Sequence, residues 1–149
     1  MAAIFFLDHP VEFEKWRVGD FRLPPKAMRE YIAEHPKLIN LVNDLGLKAA
    51  LDKEYGTLSK AVHGSDSLFR MTSAEGNINI ANPSAADLGK WSARERSAVD
   101  LSITALAGVL SDFLEGAKMQ NLRAVLGVAV QPKSRAALRK HLNISIPEP

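Results

Sequence analysis

The stretch from Ser92 to Phe113 constrains the fold more than any other part of the chain. Val99, Ile103, Leu106, Leu110 and Phe113 recur at steps of four and three, which places them along one side of a helix. Ala98, Ala105, Ala107 and Gly108 cover much of the remaining circumference. A helix that is apolar nearly all round belongs in an interior, and its small residues let neighbouring helices come close. The segment SARE, Ser92 to Glu95, has the pattern of a capping box. The helix therefore starts at Ser84 or, better, at Ser92, and Gly116 ends it. Such a helix needs other helices around it, so the chain reads as an all-α bundle.

The rest of the sequence supplies those neighbours. In DHPVEFEKWR, Asp8 or His9 caps a helix, Pro10 suits its first turn, and Glu12 and Glu14 favour the positive end of its dipole. Gly19 ends it, and residues 21–25 read as extended. A helix from about Lys26 to Glu34 stops before Pro36. Leu38, Leu41, Val42 and Leu45 then share one face up to Gly46, a suitable C′ residue. Leu47, Leu51, Tyr55 or Leu58, and Val62 continue the rhythm to Gly64, although Gly56 weakens this helix by about 1 kcal/mol relative to alanine. Residues 75–84, EGNINIANPS, read as a short extended arm or hairpin. Two shorter helices, about Asn121–Val130 and Ser134–His141, precede an extended tail. The expectation is a single domain over residues 1–149 with about six helices. The abrupt apolar start at Ala2 points to a preceding helix in a longer protein.

Composition narrows the function classes. Twenty alanines and eighteen leucines, against eight isoleucines and nine valines, favour helix. The longest apolar runs, Ala2–Leu7 and Ala124–Val130, are too short to span a bilayer, so no membrane partner is expected. No basic residue precedes the first run, which makes it a poor export signal and favours a cytoplasmic setting. Absence of cysteine excludes disulfides, thiol catalysis and zinc–thiolate sites. The sequence also lacks a Gly-rich phosphate loop, a Gly-x-Ser-x-Gly elbow and a His-Glu-x-x-His helix, which disfavours NTPases, serine hydrolases and zincins. The net charge of +2 is uneven. Residues 116–149 carry Lys118, Arg123, Lys133, Arg135, Arg139 and Lys140 against Glu148 alone, and a basic end favours an anionic partner such as RNA, although a solvated helix face explains it too.

One segment carries candidate chemistry. In YGTLSKAVHG, residues 55–64, Tyr55, Ser59 and His63 fall four apart on one helical stripe. His63 has the side chain suited to general acid/base work near neutral pH, with Ser59 and Tyr55 to orient. A purely structural reading has Tyr55 in the core, Ser59 bonded back to a carbonyl and His63 capping the helix. The segment LSKAVHG resembles the ribonuclease motif of HEPN-like proteins, small helical bundles of prokaryotic toxin–antitoxin and anti-phage defence systems. Their motif runs from an arginine and a polar residue to a histidine and glycine. Here Leu58 stands at the arginine position, Ser59 at the polar one, His63 at the histidine and Gly64 at the glycine.

The resemblance implies a helical bundle that binds or cleaves RNA as a metal-independent endoribonuclease, without cofactor, with a site built across a homodimer. The missing cation would then come from Arg135 or Arg139, with Lys140 and Lys60 as further phosphate contacts. The alternative is a non-catalytic protein-interaction or oligomerisation domain in which Leu58 marks a lost arginine. Arg29–His35 and Arg135–His141 repeat the arginine–histidine spacing at about the frequency chance provides. Asp8, His9 and Glu12 cluster as metal ligands do, but helix-start chemistry explains each, so no metal is expected. Trp16 and Trp91 read as core or interface residues. Asp100, Thr104 and Ser111 form a polar stripe that faces solvent or registers a partner helix.

Overall fold

A computed structural model of the chain describes residues 1–62, 84–116 and 120–148. The described residues form an all-α bundle: α1 (Ala2–Asp8), α2 (Pro10–Arg17), α3 (Pro25–Glu34), α4 (Ile39–Leu45), α5 (Leu47–Val62), α6 (Ala85–Val109), α7 (Ser111–Gly116), α8 (Gln120–Ala129) and α9 (Pro132–Leu142). Among the described residues there is no strand. The expected arm lies outside them except for Ser84, whose carbonyl accepts from the Leu88 amide at 3.0 Å and so opens α6. Ser92 and Glu95 consequently sit inside a helix, and their capping-box pattern caps nothing.

Backbone chemistry sets the breaks. Pro10, Pro25 and Pro132 each occupy the first turn of a helix, where a missing N–H costs nothing. Gly46 ends α4 with φ of +64°, and its amide bonds the Val42 carbonyl, so the chain turns directly into α5. Asn143 does the same after α9, with φ of +54°.

The core forms where α3, α4, α5, α6 and α9 meet. Ile32, Leu38, Leu41, Leu47 and Leu138 are fully enclosed, with Leu51, Ala105, Ala107, Leu126 and Val130 around them. α6 is central, as the sequence implied, but through its small residues rather than its large ones. A Cβ on Gly108 would stand 2.4 Å from Leu38 Cδ2 and 3.0 Å from Leu41 Cδ1. Thr104, Ala105 and Ala107 are buried with it. The expected apolar seam reaches the surface at both ends, with Val99 40% and Phe113 76% exposed. Small residues admit neighbouring backbones and become buried, which leaves the larger ones to line the edges of the contact.

The polar stripe faces neither solvent nor a partner molecule. Asp100 Oδ1 accepts the Gln131 amide at 2.7 Å and Oδ2 accepts the Ser134 hydroxyl at 2.8 Å. A buried carboxylate on α6 thus caps the start of α9, where the positive end of the helix dipole favours it. This fixes the α8–α9 junction against α6.

Candidate functional site

The α5 stripe is only partly described. His63 and Gly64 lie outside the described residues; Tyr55 and Leu58 are exposed, Ser59 is half-buried and Lys60 exposed. Leu47 and Leu51 face the core, whereas the turns after them rise to the surface, so Tyr55 is not a core residue. The guanidinium beside it belongs to Arg29 of α3, whose Cζ lies 4.0 Å from the Tyr55 ring centroid. Arg29 Nε also donates to Asp52 at 2.7 Å, while its Nη1 is buried without a hydrogen-bond partner among the described residues. Lys48 donates to the other Asp52 oxygen at 2.9 Å. Lys48, and after it Arg29, hold the Asp52 carboxyl below the usual carboxylate range. These partners tie α3 to α5. It is Thr57, not Ser59, whose hydroxyl bonds back to a carbonyl, that of Lys53 at 2.8 Å.

The basic residues of α9 divide between two places. Arg135 and Arg139, one turn apart, line a cleft of about 190 Å³ with Ser145 and Glu148 from the tail. Arg135 donates to the Pro147 carbonyl at 3.1 Å, which pins the tail back onto the helix. Lys140 and His141 instead reach Asp44 on α4, at 3.1 and 2.8 Å. His141, then Lys140, lower the Asp44 carboxyl from its ordinary value. Arg135 and His141, matched in sequence spacing, therefore have separate partners.

The histidines described near the N-terminus are also engaged. His35 Nδ1 accepts the Lys37 amide at 3.2 Å, which leaves Nε2–H to donate to Asp8 at 3.0 Å. Tyr31 donates to the same Asp8 oxygen. Burial, with Asp8 second, pushes the Tyr31 phenol up to about 12, and the Tyr31 bond holds Asp8 below its ordinary value. His9 stacks on Phe5 and its Nδ1 lies 2.9 Å from the Phe5 carbonyl. Asp8 and His9 thus close α1 onto α3; the expected cap on α2 is absent, since its N-cap residue His9 makes no side-chain capping bond.

An open cleft lies between α6 and α8. Ser92, Glu95, Arg96 and Val99 form one wall and Ala124, Val125 and Val128 the other, around about 650 Å³. Leu122 and Leu126 on α8, and Val130 just past its end, turn towards the core at steps of four. Val125 and Val128 turn outward and are 63% and 77% exposed. Leu88 and Trp91 extend the apolar strip along α6, at 52% and 40% exposure. The 124–130 run is too short for a membrane span and falls in the helix expected over about Asn121–Val130. Its sharper signal was a helix apolar on both faces, which needs cover on each.

The described residues define an all-α bundle with an open apolar cleft along its central helix. Comparison with protein-family models, with curated proteins and with solved structures finds no match to this chain. No helix among the described residues is long and apolar enough to cross a membrane.

Proposed function

We propose that this chain is a helical protein-interaction and oligomerisation module whose working surface is the α6–α8 face. One observation carries the reading: Val125 and Val128 stand exposed on a helix whose opposite face is packed into the core. Apolar side chains exposed together along a cleft are the kind of surface that interaction sites use. The Asp100 anchor holds the two walls in fixed relation, so the face is preorganised and loses little entropy on docking. The test is binding of an environment-sensitive apolar dye to the full chain. Val125→Asp with Val128→Asp should remove most dye fluorescence with the helical circular dichroism retained. Leu58→Asp, on α5, should leave it unchanged. Equal dye binding by all three proteins would sink the reading.

A second reading, RNA handling of the HEPN-like type, draws support from the cleft that Arg135 and Arg139 share. Here Arg135 and Arg139 contact phosphate and His63 acts as acid/base, with Ser59 and Tyr55 orienting. Binding of RNA would weaken steeply with salt, through counterion release. Retention of RNA binding in Arg135→Ala with Arg139→Ala would remove this support.

A further inference from the structure

The chain past α9 folds back along the helix it leaves. Asn143, with φ of +54°, reverses its direction, and the Ile144 amide donates to the Leu138 carbonyl at 3.4 Å. Ile144 is buried and Ile146 packs against the core, while Ser145 between them is exposed. That alternation belongs to an extended segment with one side on the core. The apolar anchor stops at Ile146. Pro147 and Glu148 are exposed, and the Pro147 carbonyl is held by Arg135 Nη1 at 3.1 Å.

This bond sets a charged donor against a neutral acceptor. On the same helix Lys140 and His141 share the Asp44 carboxylate. Arg135 and Arg139, which line the cleft together, have no carboxylate partner among the described residues. Glu148 stands at the cleft without an ion pair to either. A phosphate group in the cleft would give the guanidiniums charged acceptors, and such bonds are roughly twice as strong as neutral ones. The same phosphate would meet like charge from Glu148, so its entry favours a tail that has moved away.

We propose that Pro147 and Glu148 form a strap across the Arg135–Arg139 cleft, and that a phosphate group entering the cleft displaces it. The inference rests on the RNA-handling reading for the use of that cleft and adds its regulation. The seated strap weakens anion binding, and by reciprocity the bound anion releases the strap. Ile144 and Ile146 stay in place, so the strap lifts without opening the core.

Free phosphate and an RNA backbone offer the same chemistry, and the test separates them. The full chain, labelled with nitrogen-15, is titrated with inorganic phosphate and separately with a short single-stranded RNA, at ionic strength held constant with sodium chloride. The heteronuclear NOE of the Glu148 amide reads the strap, and the Arg139 Nε–H shift reads the cleft. Saturation should lower the Glu148 value to that of an unstructured segment while Ile144 keeps its own. Glu148→Gln should tighten binding roughly three-fold, the scale of an exposed charge contact. Arg139→Ala should weaken binding at least ten-fold and leave the strap seated on Arg135. Release by phosphate supports the strap with a free anion as sufficient ligand; release by RNA alone supports it with the backbone phosphate as ligand. Binding with the Glu148 amide unchanged, or with equal affinity in wild type and Glu148→Gln, would overturn the strap and leave the cleft as an anion site. An Arg139 signal that neither ligand moves, in wild type or in Glu148→Gln, would overturn the strap together with the support the cleft lends to RNA handling.

Discussion

Asp100→Ala removes the carboxylate that joins α6 to α9, and its cost can be worked from the geometry. Two hydrogen bonds are lost, at 2.7 Å to the Gln131 amide and 2.8 Å to the Ser134 hydroxyl. A hydrogen bond to a charged group contributes roughly 1.5–3 kcal/mol. Loss of a helix cap costs about 0.5–2 kcal/mol, and overlaps with the first bond rather than adding to it. Relief of the buried carboxylate's desolvation offsets part of the total. The net expectation is a loss of about 3 kcal/mol, or a fall in Tm of roughly 6–12 °C for a chain of this size. Asp100→Asn, which keeps an acceptor for the Gln131 amide, should cost about half as much. Urea unfolding of wild type, Asp100→Ala, Ser134→Ala and the double variant gives the coupling directly, expected at about 1–2 kcal/mol. A loss below about 0.5 kcal/mol for Asp100→Ala, a value ordinary for exposed sites, would refute the buried cap.

Glycine positions should respond in opposite directions. Gly56 has open space around it, so Gly56→Ala should stabilise by about 0.5–1 kcal/mol, whereas Gly108→Ala drives a methyl into Leu38 and should destabilise by about 1–2 kcal/mol net in thermal unfolding. The Thr104 hydroxyl is fully buried with no hydrogen-bond partner among the described residues, so Thr104→Val should raise stability by about 1 kcal/mol. The carboxyls of Asp8, Asp44, Asp52 and Asp112 are all lowered from 3.8, by Tyr31, His141, Lys48 and Lys37 respectively as the largest causes. Their stabilisation is present above that value and lost as pH falls through the folded-state pKa values, so a Tm–pH series should drop below about pH 4. Tyr31 runs the other way: raised from 10.0 to about 12, its contribution is lost as pH climbs through that window, and phenolate absorbance should show one tyrosine ionising only near its top.

The bundle was legible because helical periodicity and punctuation agree. Gly46, Pro36 and the Leu38–Leu45 face fall where the sequence placed them, since each depends on neighbours within a turn. The side of α6 that is buried was not legible. Apolar periodicity favoured Val99 and, past the end of α6 on α7, Phe113, but close approach at Gly108 selects the small face, and that depends on Leu38 and Leu41 from a distant segment. Asp100 was visible as a polar interruption, yet its partner lies thirty-one residues on, beyond any local pattern. The candidate stripe gave Tyr55 and Ser59 a common side of α5, while the cation over Tyr55 came from Arg29, whose approach only the α3–α5 packing reveals. The exposed face of α8 could have been read from Val125 and Val128 lying off the Leu122–Leu126–Val130 line.

The chain contains two tryptophans, Trp16 on α2 and Trp91 on the apolar strip of α6, so Trp16→Phe leaves a single reporter on the proposed interaction face. The most direct measurement is collisional quenching of that tryptophan as protein concentration rises, beside the same protein carrying Val125→Asp and Val128→Asp. Docking on the α6–α8 face should shield Trp91, so quenching should fall several-fold with concentration in the first protein and stay constant in the second. Quenching that is independent of concentration and equal in both would contradict association through this face.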